Sequence, residues 1–275
     1  MKKTRILLLI VFLLLTAGMA AASDSLTIGV APHTSARVIL EMYQPLRIYL
    51  EKVLGRTVEI VTAPDFDTFA RRGLAQEYDI AVTTGHQARL FQTESGYIPF
   101  LTYKADFKAV AVVALKGTIK VPADLKGKQV LGLSPTSLVT LWGQHWLKEN
   151  KIDSASVKYV SASDSVSQLV IAGDAAAGFT SLANYQKLTP DVRGQLRILA
   201  ESKSMAGRVY LLNKRNTYLQ QKIDAALWSF AATPEAKKYF ETNKLEGYRK
   251  LRNNELKEMD PYANEVKKFL RNSTK

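Results

Sequence analysis

The chain has 275 residues, 47% hydrophobic and 23% charged, with a formal net charge of +13; this is ordinary globular composition, long enough for one large α/β domain or two small lobes. The absence of cysteine excludes a disulfide scaffold, a thiol nucleophile, a thiolate metal site and a lipid anchor built on a cleavage-site cysteine. The positive balance favours anionic partners in general, but the basic residues are scattered, which argues against nucleic acid as a partner.

The N-terminus reads as a leader. Lys2, Lys3 and Arg5 precede an unbroken apolar run from Ile6 to Leu15, and small residues come next, ending Ala20-Ala21-Ala22. This is the charged, apolar and small-residue order of a secretory signal peptide. The run is too short for a membrane span, which needs about 20 residues. Cleavage is expected after Ala22, giving a periplasmic chain. Removing residues 1–22 takes away three positive charges and no negative ones, leaving +10.

Leu26 to Ala31 reads as a buried strand, broken by Pro32-His33-Thr34-Ser35. Val38, Ile39, Met42, Leu46, Leu50 and Leu54 then recur at helical spacing, with Thr34 or Ser35 as cap and Gly55 as stop. Thr57 to Thr62 is a second strand, Asp65 to Gln76 a short helix and Tyr78 to Thr83 a third strand. The Thr84-Gly85-His86 loop leads into a helix from Gln87 to about Thr93. This β-α-β-α-β order predicts an open sheet with right-handed crossovers.

A second unit starts near Tyr103. Lys108 to Leu115 and Gln129 to Leu133 read as buried strands. Ser134-Pro135-Thr136-Ser137 opens a helix to Asn150, Val157 to Val160 is a strand, and Ser163-Asp164-Ser165 caps a helix to Ala172. Ala175 to Phe179 is a strand of small residues, followed by a helix around Leu182 to Leu188. Leu196 to Ala200 and Arg208 to Leu212 read as strands, and Thr217 to Phe269 as helical. The expected organisation is α/β and two-lobed: residues 23–103 with 205–275 form lobe 1, and residues 104–204 form lobe 2. Each lobe is an open, mainly parallel sheet flanked by helices. Two hinge crossings, near Leu101–Phe107 and Glu201–Arg208, join the lobes, a layout that makes a closable cleft.

In that order the chain resembles the periplasmic solute-binding proteins of phosphate, phosphite and phosphonate ABC transporters, a branch of the type II periplasmic binding fold. The resemblance rests on the strand and loop LTIGVAPHTS, on Tyr43-Gln44-Pro45-Leu46, Tyr49-Leu50-Glu51 and Leu54-Gly55, and on Asp65-Phe66 and Tyr78-Asp79-Ile80-Ala81. Further along, Asp124-Leu125-Lys126-Gly127-Lys128 and Thr233-Pro234-Glu235-Ala236 continue it. It implies capture of a small anion by lobe closure, an ABC permease as partner, no cofactor, no catalysis and a monomer. The same fold also serves as a sensor that presents occupancy to a membrane histidine kinase or cyclase. Three departures leave the ligand open. The family's Ser-Thr-Ser-Gly helix start reads Ser134-Pro135-Thr136-Ser137-Leu138 here, its His-Asp reads Ser163-Asp164, and carboxylates that hold a ligand's amino group in some members are replaced by Ser181 and the Met205–Gly207 stretch.

Helix N-termini carry unpaired N–H groups and roughly +0.5 of an elementary charge, and ligands of open α/β sheets sit beyond the carboxyl ends of the strands. The candidate ligand loops are therefore His33, Thr34 and Ser35; Thr83, Thr84, Gly85 and His86; Ser134, Thr136 and Ser137; and Ser163 with Asp164. The resemblance adds Ser181. Tyr103 is a candidate wall and Arg208 a candidate oxyanion fork. No metal site is expected: Asp65 and Asp67 lack the histidine and carboxylate company it needs. No nucleophile elbow, zinc-helix or P-loop motif is present.

Overall fold

The computed structural model describes residues 25–160 and 163–273; the leader read over residues 1–22 lies outside them. The first half runs β1 (Leu26–Val30), α1 (Ala36–Leu54), β2 (Val58–Val61), α2 (Phe66–Leu74), β3 (Ile80–Thr84), α3 (Gly85–Glu94) and β4 (Ile98–Tyr103). The second half comprises β5 (Ala109–Ala114), β6 (Gln129–Gly132), α4 (Leu138–Glu149), β7 (Ser156–Tyr159), α5 (Ser163–Ala172), β8 (Ala177–Ser181), α6 (Leu182–Lys187), α7 (Pro190–Arg193) and β9 (Leu196–Glu201). The chain then returns through β10 (Arg208–Leu212), α8 (Gln220–Ala231), α9 (Pro234–Asn243), β11 (Tyr248–Arg249) and α10 (Asp260–Asn272).

Local chemistry explains the elements. In α1 the Ser35 hydroxyl accepts from the Val38 N–H, and Gly55 ends the helix in the left-handed region at φ 68. Ile39, Tyr43, Leu46, Leu50 and Leu54 are buried against the sheet, each contributing about 1.5–3 kcal/mol of transfer free energy. Gly29 in β1 is needed for space: a Cβ there would lie 2.4 Å from the Tyr78 ring.

One sheet has the order β11-β4-β10-β3-β1-β2, the other β7-β6-β8-β5-β9. β1 pairs parallel with β2 and β3, whereas β10 is antiparallel to β3 and β4, and β11 to β4. In the second sheet β6 pairs parallel with β7 and β8, and β5 is antiparallel to β8 and β9. Both sheets are thus mixed: most strands run one way, with β10, β11 and β5 reversed. The reversal comes from the route of the chain. β3 and β4 end where the halves meet, and β6 and β8 do the same from the other side. β5 and β10 each receive the chain from the other half, so they start at that boundary and run outward.

The two connections, residues 104–108 and 202–207, are tied by an antiparallel bridge. The Phe107 N–H donates to the Met205 carbonyl at 3.1 Å, and the Met205 N–H to that of Phe107 at 2.8 Å. The first crossing is shorter than expected, because Leu101 to Tyr103 belong to β4. Pro99 masks this strand in the sequence, since proline cannot donate to a ladder; the β4–β10 register shifts beside it. The C-terminal region also departs from an all-helical reading: β11 is an edge strand on β4, and 3-10 turns stand at Lys214–Leu219, before α8, and at Glu255–Met259, before α10.

One apolar core packs α1, α8 and α9 on the first sheet. A second is continuous across both halves, joining Phe66, Phe69 and Phe91 to Leu138, Trp142 and Phe179. The halves rest against each other. His86 Nε2 donates to the Thr136 carbonyl at 2.9 Å, and the Thr136 hydroxyl to Asp67. His145 meets Glu265 and stacks on Tyr262, at a ring-centroid distance of 4.9 Å. Among the described residues no helix is long and apolar enough to cross a membrane.

Candidate functional site

A cavity of about 110 Å³ lies between the two sheets. His33, Thr83 and Thr84 reach it from the loop ends of β1 and β3, Tyr103 from β4 and Arg208 from β10. Ser137, Leu138 and Val139 at the start of α4, with Ser181, Asn184 and Lys187 around α6, close it from the other half. It sits beyond the carboxyl ends of the inward-running strands, as open α/β sheets place their ligands.

The helix starts are left open. Ser137 is the N-cap of α4, yet its side chain accepts no N–H of the first turn; its hydroxyl donates to Thr140 Oγ1 at 2.8 Å. Leu138 and Val139 line the cavity, so unsatisfied backbone donors and the positive end of the helix face the space. Thr84, the N-cap of α3, also makes no side-chain cap.

The charges around the cavity are one-sided. Arg208 touches Met42 Sδ at 3.8 Å, and among the described residues it has no carboxylate within ion-pair distance. Burial opposes its charge, but the phenols of Tyr43, Tyr103 and Tyr239 beside it outweigh that and hold it cationic. These rings belong to a buried cluster in which the Tyr103 hydroxyl bonds those of Tyr210, at 2.7 Å, and Tyr239, while Tyr210 bonds Tyr248 at 3.1 Å. Lys187 donates to Asn243 Oδ1 at 3.4 Å. Desolvation first, then Arg208 and Lys244, lowers its pKa to about 8.

The two loop histidines do different work. His33 Nδ1 donates to the Ala31 carbonyl at 2.8 Å, while its Nε2 is buried without a partner. Desolvation, then Arg208 and Lys187, holds its pKa well below the usual histidine value, so neutral His33 offers a lone pair at Nε2. His86 is fully buried, and desolvation lowers its pKa to about 4. With Nε2–H on the Thr136 carbonyl, its Nδ1 accepts from the Thr84 hydroxyl at 3.1 Å. It is a strut between the halves, outside the cavity lining.

Of the residues singled out from sequence, the cavity brings together His33, Thr83, Thr84, Tyr103, Ser137, Ser181 and Arg208. Thr83 Oγ1 is already engaged with Gln87 Oε1 at 2.9 Å, and Ser181 caps α6 by accepting from the Asn184 N–H. Thr34, Ser35, Gly85, Ser134, Thr136, Ser163 and Asp164 do not line it. Ser35 is an exposed cap and Asp164 an exposed helix residue. Thr136 is spent on Asp67, with Ser134 packed beside it. Gly85 is a packing glycine: a Cβ there would lie 2.6 Å from Ala206 Cβ. Asp106, Lys108, Asn184, Lys187, Asn243 and Lys244 also line the cavity, and sequence reasoning missed them. A polar pair three residues apart, Asn184 and Lys187, directly after the Ser181 cap was the one readable signal.

The family model described as "ABC transporter, phosphonate, periplasmic substrate-binding protein" matches residues 28–256. No curated protein matches the sequence. Among solved structures, the chain is similar to XAC2383 from Xanthomonas citri bound to chloride ion (TM-score 0.76, 18% identity, 91% of this chain and 100% of that one). It is also similar to PhnD1 from Prochlorococcus marinus in complex with methylphosphonate (TM-score 0.77, 13% identity, 90% and 99%). A third is the binding protein component of an ABC phosphonate transporter, PA3383 from Pseudomonas aeruginosa (TM-score 0.74, 13% identity, 92% and 100%).

Proposed function

The chain belongs to the periplasmic substrate-binding proteins of phosphonate ABC transporters, and from that premise we propose that it captures a small phosphonate-like anion between its two halves and delivers it to an ABC permease. Members of this family bind and do not catalyse. The observation that carries the reading is the one-sided charge of the cavity, where Arg208 and Lys187 have no carboxylate partner among the described residues and the first turn of α4 presents uncapped N–H groups. Arg208 is half-buried and Lys187 exposed at the cavity, and an anionic ligand there pairs with these cations and accepts from the α4 donors. Closure of the halves about the Phe107–Met205 bridge excludes water and strengthens both interactions. The exported form begins after Ala22.

A thermal-shift screen of the purified exported form tests this. Methylphosphonate, other phosphonates, phosphate, phosphite and sulfate are compared with neutral sugars and free amines. A ligand at 100 times its Kd stabilises by about 2.7 kcal/mol. Stabilisation by phosphorus oxyanions is expected. Stabilisation by neutral or cationic solutes alone refutes the reading.

A further inference from the structure

The cavity holds more positive charge than a single oxyanion at the start of α4 engages, and we propose that its ligand is a small diacid: a phosphonate-like head at α4 and a second anionic group, a carboxylate being the simplest, at the Arg208 end. This rests on the capture reading and names the substrate class it takes.

The two ends are anchored by different neighbours. The start of α4 is held by His86 and Asp67, through Thr136. Lys187 is held by Asn243 at the end of α9, with Lys244 and Arg208 close enough to depress its proton affinity. Arg208 begins β10 opposite Thr84 and rests on the tyrosine cluster. A ligand with an acid group at each set of donors engages both.

The second end has the wrong charges for an amine. Asp106 is the one carboxylate among the described residues lining the cavity, and it faces Arg249 at 3.6 Å. Lys108 is paired with Glu201 at 2.6 Å. Arg208, Lys187 and Lys244 have no such partner among the described residues. An ammonium group placed there meets three cations and no free acid; a carboxylate meets a guanidinium fork. The unpartnered Nε2 of His33 adds a polar contact, accepting from a ligand hydroxyl or donating once the anion has offset the neighbouring cations.

The test compares phosphonoacetate, methylphosphonate and 2-aminoethylphosphonate by isothermal titration calorimetry, with malonate as a phosphorus-free diacid. Phosphonoacetate is expected to bind at least tenfold more tightly than either of the other phosphonates. Arg208→Met should weaken phosphonoacetate at least thirtyfold and methylphosphonate less than threefold. Lys187→Gln, on a helix that carries no core residue, should show the same selectivity if Arg208→Met does not fold. Equal affinity for 2-aminoethylphosphonate and phosphonoacetate overturns the proposal and leaves phosphonate capture standing. So does a uniform loss across ligands in the variants. If no phosphonate binds, phosphonate capture fails; malonate binding that depends on Arg208 then still supports the two-acid site, and silence from malonate overturns it.

Discussion

Replacing Tyr103 by Phe removes one oxygen from the centre of the buried tyrosine cluster, and the partners of that oxygen set the cost. The Tyr103 hydroxyl serves both Tyr210 and Tyr239. Tyr210 keeps a second partner in Tyr248 at 3.1 Å, but the Tyr239 hydroxyl has none left among the described residues. Burying one polar group without a partner costs about 1–3 kcal/mol, and the lost bond to Tyr210 adds about 1 kcal/mol. Tyr103→Phe should therefore destabilise by about 2–4 kcal/mol. Tyr248→Phe leaves Tyr210 bonded to Tyr103, so its cost is about 1 kcal/mol. Urea denaturation followed by tryptophan fluorescence, with melting temperature as a second readout, measures both. A Tyr103→Phe cost below about 0.5 kcal/mol, or a cost equal to that of Tyr248→Phe, refutes the argument that the network is closed to water.

Lys187 makes affinity pH-dependent. Its pKa near 8 in the free protein is raised by a bound anion, so binding takes up a proton above pH 8 and weakens as pH rises. The wild-type advantage over Lys187→Gln should shrink by up to about tenfold between pH 7 and pH 9, the variant cancelling titration of the ligand and of His33; a constant ratio in calorimetry counts against it. Asp67→Ala removes the acceptor of the Thr136 hydroxyl across the halves, so ligand Kd should rise about tenfold while secondary structure by circular dichroism is unchanged. Gly85→Ala drives a Cβ to within 2.8 Å of the Ala206 carbonyl oxygen; overpacking should lower stability by about 1–3 kcal/mol, read from the melting temperature.

The strand and helix order was legible because it arises from local periodicity. Alternating apolar positions and capping residues are written in each segment, and Ser35, Asp65 and Thr233 cap their helices. Pro99 and the short β11 escaped because a proline and a two-residue edge strand leave no periodic signal. Loops with hydroxyls were recognisable as helix starts, but a cap, a clasp and a ligand donor look the same in one dimension. Thr136 and Ser137 are neighbours in the chain, yet one grips Asp67 and the other lines the cavity.

By itself, then, the sequence determined the α/β element order and the hydroxyl-rich helix starts, since each depends on residues within one turn or one strand of one another. Only the tertiary structure decided which charges meet. Arg208 stands out in the sequence as a candidate oxyanion fork, but Lys187 and Lys244 are unremarkable in its positive excess. All three line one cavity because β10, α6 and the end of α9 converge on it, while the acids nearby are already paired, Asp106 with Arg249 and Glu201 with Lys108. Coulombic complementarity is a property of distances in space, and spacing along the chain does not encode it.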